Sequence, residues 1–342
     1  MDNLNVVVMA NIPEDNFRKI ATTDPGHIKV KNAGPLFRVE REVKEKGGKA
    51  TPEQTATLKE LDKMMREADV ILTLRLPENL AGRSPNLKWV QFLSAGVESV
   101  REAKDLGKDV LVTNASGCND IPVAEHVLGF MLMLSKQTTR SLANQAAQKW
   151  ERFFPEELDG KTVGIVGLGN IGKEVARLAK AFRMKVVATR RSATKHEKGV
   201  AGVDEIYPHT QLPKLFGAVD FVVVSVPFTP ETTKLIGETE LRAMKPSAFF
   251  INISRGSVVD QPVLIRALKE GWIAGAAVDV TDPEPLPPDS KLWEAPNIII
   301  TAHIAGGTFG TGGRTAELFC DNLKRYLGGQ PLVNLVDRAR GY

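Results

Sequence analysis

Val163-Gly-Ile-Val-Gly-Leu-Gly-Asn-Ile-Gly172 is the stretch that decides the fold of this chain. An apolar run over 162–166 predicts a buried β-strand, and it ends in three glycines at the spacing G-x-G-x-x-G. A helical pattern and a second apolar run over 184–188 follow. Such a strand, glycine turn, helix and strand place a dinucleotide pyrophosphate at a helix N-terminus. The predicted cofactor contacts in this unit are Gly167, Gly169, Asn170, Ile171 and Gly172.

The end of the second strand selects between the two nicotinamide dinucleotides. An acidic residue is expected there, roughly 20 residues after the glycines, to accept a hydrogen bond from the ribose 2′-hydroxyl. The chain instead has Thr189, Arg190, Arg191 and Ser192. These residues favour NADP over NAD, because arginine presents forked donors to the oxygens of a 2′-phosphate. The alternative is that the arginines form a solvated loop cap and that NAD is the cofactor.

Composition excludes several classes of protein. At 342 residues the chain is long enough for two domains, and its 42% hydrophobic and 25% charged residues are ordinary for a globular protein. A net charge of +4 from 45 basic and 41 acidic residues indicates neither a nucleic-acid nor a membrane partner. The polar N-terminus does not read as a signal peptide, and Cys118 and Cys320 indicate neither a disulfide framework nor a metal site. We therefore expect a cytoplasmic protein.

Other apolar runs extend the same architecture along the chain. Because they alternate with helical patterns, they predict parallel α/β sheets. The charged stretch 34–51 is expected to be an exposed connection. Residues 122–139 predict one long helix that is buried on several sides, and a glycine-rich turn over 306–313 leads into a helix over 314–327. The further predicted strands are 4–10, 69–74, 87–93, 110–113, 221–225, 249–253, 274–280 and 298–301.

Three polar residues, Arg255, Glu284 and His303, each follow a different predicted strand. Open α/β sheets bind ligands at these carboxyl ends. A histidine supplies a proton near neutral pH, and a carboxylate beside it favours the charged imidazolium. An arginine grips a substrate carboxylate and polarises a carbonyl. Each residue alone is more often an ion-pair, turn or core residue, but together they predict carbonyl reduction. The other histidines, which we interpret as structural or solvated, are His27, His126, His196 and His209.

These features together resemble the D-isomer-specific 2-hydroxyacid dehydrogenases over nearly the whole chain. The resemblance implies two Rossmann-like parallel-sheet domains, with an NAD(P)-binding domain over 119–305 inserted into a flavodoxin-like substrate-binding domain. That second domain comprises 1–118 and 306–342, with hinges near 118–121 and 304–308 and the active site in the cleft. Besides the glycine turn, the motifs are Leu87-Lys-Trp-Val-Gln-x-Leu-Ser-Ala-Gly-Val97, Val123-Ala-Glu-His126, Pro227-Phe-Thr-Pro-Glu-Thr232, Arg255-Gly-Ser-Val-Val-Asp260, Asp279-x-x-x-Pro-Glu-Pro285, Pro296-Asn-Ile-Ile-Ile-Thr301 and His303.

The resemblance also implies an activity and a role for individual residues. Hydride passes between NADPH and a 2-keto acid to give a D-2-hydroxy acid. Arg255, Glu284 and His303 match the family's catalytic trio, with His303 as acid and base. Asp279 lies on the nicotinamide carboxamide side, and Arg75 either recognises a second anionic group or points to solvent. The backbone amides of Ser94, Ala95, Gly96 and Val97 hold the substrate carboxylate. The remaining cofactor contacts by resemblance are Val226, Pro227, Thr232, Ile253 and Gly306.

Some properties of the family leave alternatives open. The resemblance implies a homodimer through the cofactor domain, including the helix 122–139. Ala302 stands where the family has proline. A phosphite dehydrogenase would carry lysine at Ala95, and a formate dehydrogenase would carry glutamine at Glu284. A dinucleotide-sensing corepressor of this fold would keep all three catalytic residues. The acyl substituent of the substrate stays open, with Trp150, Phe153 and Phe154 as candidate pocket residues.

Overall fold

The computed structural model describes residues 3–97, 100, 103, 106–200 and 202–338. The chain forms two compact units. The first unit combines Met1–Cys118 with Phe309–Tyr342, and the second unit is Asn119–Thr308. The sequence placed the second division three residues earlier, between 305 and 306. Within the described ranges, no helix is both long enough and apolar enough to cross a membrane.

The first unit is built on a five-stranded parallel sheet with the order β2-β1-β3-β4-β5. This is the flavodoxin-like order 2-1-3-4-5. The last helix, Phe309–Leu327, packs on the sheet, and its Phe319 ring lies 5.3 Å from the ring of Trp89. The strands are β1 (Leu4–Val8), β2 (Ile28–Asn32), β3 (Val70–Thr73), β4 (Trp89–Phe92) and β5 (Leu111–Thr113). The other helices of the unit are α1 (Glu14–Ala21), α2 (Gly34–Glu45), α3 (Pro52–Arg66) and α4 (Leu80–Arg83).

The second unit is built on an eight-stranded sheet with the order β13-β12-β11-β10-β6-β7-β9-β8. All neighbouring strands are parallel except the β8–β9 pair. The strands are β6 (Thr162–Val166), β7 (Lys185–Arg190), β8 (Glu197–Val200), β9 (Val203–Pro208), β10 (Phe221–Val224), β11 (Phe249–Asn252), β12 (Gly275–Val278) and β13 (Ile298–Ile300). The helices are α5 (Asp120–Ser135), α6 (Thr138–Ala146), α7 (Asn170–Ala181), α8 (Leu212–Ala218), α9 (Glu238–Ala243) and α10 (Gln261–Lys269).

The position of β6 fixes where a ligand binds this sheet. The chain leaves β6 to form β7 on one side and later returns to form β10 on the other side. The order of the strands therefore reverses at β6, and in open α/β sheets ligands bind at the carboxyl ends beside such a switch point. Separate clusters of buried side chains cover the two faces of the sheet. Because both faces are buried, the strands are apolar throughout. The predicted α/β class with two Rossmann-like sheets is confirmed.

Three local predictions were wrong. Residues 34–51, expected as an exposed connection, contain the helix α2, because Phe37 and Val43 are buried on one face. The long helix over 122–139 ends at Ser135, and the left-handed backbone of Gln137 (φ 50°) separates α5 from α6. The last helix begins at Phe309 and so absorbs most of the expected glycine turn over 306–313.

The last helix lies next to α1 at its glycine-rich start. A Cβ built at Gly312 would lie 3.5 Å from the side-chain nitrogen of Asn16 on α1, an ordinary contact distance. Further along, Ala316, Phe319 and Leu323 of the last helix are buried. Tertiary packing therefore outweighs the low intrinsic helix propensity of glycine at this place.

Candidate active site

The glycine turn after β6 is shaped for close approach of another group. Gly167 has φ +103°, and a Cβ there would lie 2.9 Å from the carbonyl oxygen of Ser225. A Cβ at Gly172 would lie 2.2 Å from the carbonyl oxygen of Gly167, so only glycine allows the helix to pack here. A Cβ at Gly169 would meet nothing within 4 Å. The turn is closed on the protein side and open at Gly169.

The helix that follows the turn begins without a side-chain cap. Its N-cap residue is Gly169, and Asn170 and Ile171 form its first turn. The leading N–H groups of a helix need acceptors from outside the helix, and an anion satisfies both them and the helix dipole. The structure therefore fits a pyrophosphate at the place that the sequence predicted.

The end of β7 carries buried polar atoms that lack a protein partner. Thr189 is 3% exposed, and its carbonyl oxygen accepts from the N–H groups of Gly167 and Leu168 at 3.1 Å. Among the described residues, Thr189 Oγ1 and Arg190 Nε are buried and have no hydrogen-bond partner. Buried polar atoms are normally paired, so these two fit a site that a ligand completes. Arg191 and Ser192 are exposed beside them.

Beyond the carboxyl ends of β12 and β13, His303 and Glu284 form a hydrogen-bonded pair. His303 Nδ1 lies 2.9 Å from Glu284 Oε2. The second carboxylate oxygen of Glu284 accepts from the N–H of Thr281 at 3.0 Å, which fixes the carboxylate. The side chain of His303 is 47% exposed, so the ring remains accessible to a substrate. This pair can hold and transfer a proton.

Arg255 follows β11 and reaches the same end of the sheet. The Asn252 side chain donates to the carbonyl oxygen of Arg255 at 3.0 Å and accepts from the N–H of Ser254 at 3.1 Å, which closes the turn. A Cβ at Gly256 would lie 2.0 Å from the carbonyl of Thr281, so the turn is packed directly against the segment that leads to Glu284. The structure thus brings the predicted catalytic trio onto three adjacent strand ends.

Asp279 fixes the backbone that carries His303. Its carbonyl oxygen accepts from the N–H of His303 at 2.8 Å, and its carboxylate accepts from the N–H groups of Ile304 and Ala305 at 2.9 and 3.0 Å. The hydroxyl of Thr301 donates to the same carboxylate at 2.5 Å. His303 itself has a left-handed backbone (φ 53°). Since Asp279 is 2% exposed, this buried carboxylate holds the loop in its conformation.

His126 on α5 completes that network from behind. Its Nε2 lies 3.1 Å from the hydroxyl of Thr301, which already donates to Asp279 and so accepts from His126. Burial lowers the pKa of His126, and the charge of Asp279 opposes that shift. The ring also packs edge-on against Phe130 at 4.4 Å. These contacts with Thr301 and Phe130 are typical of a structural histidine.

The remaining predicted cofactor contacts line the strand ends near the switch point. Val226 and Pro227 follow β10, and the hydroxyl of Thr232 donates to the carbonyl oxygen of Pro227 at 2.8 Å, which shapes that turn. Ile253 follows β11 and is 8% exposed. Gly306 follows β13, and a Cβ there would lie 2.8 Å from the side-chain nitrogen of Asn119, so a larger residue would displace the end of that side chain.

The residues predicted to bind the substrate carboxylate belong to the first unit, where they follow β4. The hydroxyl of Ser94 donates to the carbonyl oxygen of Gly96 at 2.7 Å, and the Asn114 side chain donates to the carbonyl oxygen of Ala95 at 3.0 Å. Val97 is 2% exposed and anchors the loop. Arg75, which follows β3, is exposed.

Three residues of the site carry no signal in the sequence. Asn252 and Thr281 hold the turns that carry Arg255 and Glu284, and Glu197 lies 3.6 Å from Arg190. The first two act on residues three positions away and are not specified by any motif, and the contact of Glu197 depends on the β8–β9 hairpin. In the described part of the chain, no group of three or more His, Cys, Asp or Glu side chains is arranged to hold a metal ion.

The comparisons with known proteins identify the family. Residues 128–305 match the model of the D-isomer specific 2-hydroxyacid dehydrogenase, NAD binding domain. The chain belongs to the D-isomer-specific 2-hydroxyacid dehydrogenase family. It is similar to the glyoxylate reductase of Korarchaeum cryptofilum, with 34% identity over 277 residues that span 78% of this chain and 81% of the relative. The chain is thus an NAD(P)-dependent oxidoreductase that acts on the CH–OH group, and the predicted family is confirmed.

Two solved structures of this family extend the likeness to the full chain. A D-isomer specific 2-hydroxyacid dehydrogenase from Xanthobacter autotrophicus Py2, in complex with NADPH and MES, has a TM-score of 0.79 and 29% identity, covering 100% of both chains. An NADPH-dependent glyoxylate/hydroxypyruvate reductase from Sinorhizobium meliloti, in complex with NADP and sulfate, has a TM-score of 0.80 and 25% identity, covering 99% of this chain and 100% of that one.

Proposed function

We propose that this protein reduces a 2-keto acid with NADPH to a D-2-hydroxy acid, with His303 as the proton donor. The observation that carries the proposal is the 2.9 Å contact between His303 and Glu284 on a loop that Asp279 fixes, beside Arg255. Glyoxylate reductases among the relatives and NADP-bound neighbours support the reaction and the cofactor.

The bound cofactor supplies a hydride to the carbonyl carbon. His303 donates a proton to the carbonyl oxygen as it becomes a hydroxyl, and it removes that proton in the reverse reaction. Glu284 stabilises the imidazolium by its charge and fixes the ring, since its other oxygen is held by the N–H of Thr281. The proton therefore leaves from Nε2 of His303, while Nδ1 stays in contact with Glu284.

Arg255 has the charge to bind the substrate carboxylate and to polarise the adjacent carbonyl. Its Nη1 donates to the carbonyl oxygen of Ser254 at 2.7 Å, which holds the guanidinium at the end of β11. We assign the substrate-binding role of the first unit to the backbone amides of Ser94, Ala95, Gly96 and Val97. The exposed Arg75 is available for a second anionic group on a larger substrate.

The residues at the end of β7 support NADP over NAD. An acidic residue there would repel a 2′-phosphate, whereas Arg190 and Arg191 attract it. Among the described residues, Nε of Arg190 and the hydroxyl of Thr189 have no hydrogen-bond partner, which supports a ligand-binding role for the end of β7.

The test is a panel of 2-keto acids, from glyoxylate to phenylpyruvate and 2-ketogluconate, assayed with NADPH and with NADH. We expect turnover of at least one keto acid and a higher kcat/KM with NADPH. The variant Arg255→Lys keeps the charge but loses the fork, so it should raise KM for the keto acid and leave cofactor affinity nearly unchanged. Tight dinucleotide binding without turnover of any keto acid would instead favour a dinucleotide sensor.

We also propose a homodimer through the second unit. The helix α6 buries none of its residues, and Leu142, Trp150 and Phe154 are 55%, 94% and 96% exposed. Exposed apolar side chains in one chain segment are typical of a protein interface. Light scattering should give twice the mass of the chain, and Leu142→Asp with Trp150→Ser should give the monomer. A monomeric parent protein would overturn the proposal.

We place the protein in the cytoplasm. Cys118 and Cys320 are both buried and neither is joined in a disulfide, which suits a reducing compartment. Cell fractionation with an antibody against the native protein tests the assignment, and recovery in an exported fraction would overturn it.

A further inference from the structure

We propose that Glu197 determines cofactor specificity: its carboxylate is the resident counter-ion of Arg190 and competes with the 2′-phosphate of the dinucleotide. The inference rests on the proposed NADP preference and adds a residue that opposes it. The chain then contains both Arg190, the cation that binds the phosphate, and Glu197, a carboxylate that weakens this binding.

The hairpin β8–β9 brings the two side chains together. Arg190 is the last residue of β7 and pairs with Pro208 on β9, and Glu197 is the first residue of β8 and pairs with Ile206 on β9. Because β8 is antiparallel to β9, the start of β8 lies at the same edge of the sheet as the end of β7. The carboxylate of Glu197 reaches back to 3.6 Å from Arg190 Nη2.

The contact is an ion pair without a hydrogen bond. Hydrogen bonds between N–H and oxygen lie at about 2.7–3.2 Å, so the 3.6 Å contact between Arg190 Nη2 and Glu197 Oε2 is not a hydrogen bond. The Nε of the same guanidinium is buried and has no partner in the described part of the chain. Glu197 therefore attracts the arginine by charge alone, and the side chain of Arg190 is 38% exposed, which leaves part of it within reach of a ligand.

The other carboxylates of the hairpin, Asp204 and Glu205, are already paired, and Asp204 accepts from Lys180 Nζ at 2.6 Å. Glu205 accepts from Lys185 at 2.7 Å and lies 2.8 Å from His196 Nε2. Glu197 is 26% exposed, so solvent screens its charge only in part. It is the carboxylate whose charge acts on Arg190.

A 2′-phosphate and the carboxylate of Glu197 would share one guanidinium. Their like charges repel, which weakens binding of a phosphorylated ribose but leaves binding of a 2′-hydroxyl nearly unchanged. A partly exposed ion pair contributes at most about 1 kcal/mol, which corresponds to about fivefold in affinity. Removing the charge of Glu197 should therefore strengthen phosphate recognition by up to about fivefold.

The experiment compares two probes that differ only in the 2′-phosphate, adenosine 2′,5′-bisphosphate and adenosine 5′-monophosphate, by calorimetry on the full chain. In Glu197→Gln the bisphosphate should bind up to about fivefold more tightly and the monophosphate as in the parent protein. The matched control is Glu156→Gln, which removes a carboxylate paired with Lys161 in the same unit. In an Arg190→Gln background, Glu197→Gln should strengthen binding of the bisphosphate less than in the parent background, because only the direct repulsion is then removed.

The outcomes separate the inference from the proposed function. If the parent protein binds both probes equally, the NADP preference fails and the inference fails with it. If the parent prefers the bisphosphate but Glu197→Gln leaves that preference unchanged or reduces it, only the inference is overturned. Glu197→Ala provides a second variant, and selective strengthening in both variants supports the inference.

Discussion

Two regions at the carboxyl ends of the second unit's strands differ in how their polar groups are bonded. After β12 and β13, Asp279 and Glu284 use their carboxylates to hold backbone N–H groups and the ring of His303. At the end of β7, Thr189 Oγ1 and Arg190 Nε are buried without a partner among the described residues. The polar groups of the first region are bonded within the protein, and those two atoms of the second are not.

The difference follows from the proposed roles of the two regions, proton transfer at His303 and recognition of a phosphate at the end of β7. A proton donor must be held in one orientation before the substrate arrives, so its supports come from the protein. A site that recognises a phosphate obtains its bonds from the ligand, so unpaired donors are expected there before binding. We therefore predict large losses of activity for substitutions around His303 and changes in cofactor choice for substitutions at the end of β7. Substitutions in the two regions should also differ in how much they lower the free energy of unfolding.

The largest effect is expected at His303. Replacing it with alanine should lower kcat by about 10² or more, the scale of a positioned acid–base group. Steady-state kinetics with the preferred keto acid measures the loss. The matched control is His209→Ala at an exposed histidine of the same unit. Near-normal turnover in His303→Ala would remove this residue from the mechanism.

Cofactor preference is expected to reverse when the arginines at the end of β7 are replaced. One charge-assisted contact to phosphate contributes about 1.5–3 kcal/mol, which implies roughly 10–100-fold preference for NADPH. Arg190→Asp with Arg191→Ala should give the opposite order, because the new carboxylate accepts from a 2′-hydroxyl and repels a 2′-phosphate. The ratio of kcat/KM for the two cofactors decides this. A parent enzyme that favours NADH would show that the arginines serve another purpose.

The third prediction concerns Asp279. Asp279→Asn weakens acceptance from two N–H groups and a hydroxyl, so we expect about 2–3 kcal/mol of lost stability and a lower Tm. We also expect kcat to fall about tenfold, because the loop that carries His303 loosens. The controls are Asp159→Asn, at an exposed pair with Arg183, and Thr189→Val, which deletes an unpartnered hydroxyl. Equal loss of stability in Asp279→Asn and Thr189→Val would contradict the comparison.

The smallest effect is expected at Glu284. Glu284→Gln removes the charged partner of His303 Nδ1 and keeps the size of the side chain. The ring then loses a charge-assisted contact, so kcat should fall, but by less than in His303→Ala. Steady-state kinetics of the parent and the variant under the same conditions test this. An unchanged kcat would reduce Glu284 to a residue that shapes the turn.

The elements that the sequence predicted well are those whose pattern is local. The strand Thr162–Val166 and the glycine turn follow from adjacent residues, so both lie where the sequence placed them. The helix α2 was missed because its charged residues obscured the apolar positions of the local pattern. The last helix was predicted to begin too late because its first turns contain glycines. Burial of Phe37 and the contact with α1 stabilise these helices, and neither contact is visible in a short window.

The sequence by itself determined the fold class, the dinucleotide unit and the family, because glycine spacing, apolar periodicity and strand-end polar residues are encoded in consecutive positions. Only the tertiary structure decided which groups support the site. It placed the carboxylate of Asp279 beneath the loop of His303, and Glu197 beside Arg190. The contacts of Asp279 join residues up to 26 positions apart in the chain. Both sets of contacts depend on the register of neighbouring strands, which the packing of the whole sheet sets.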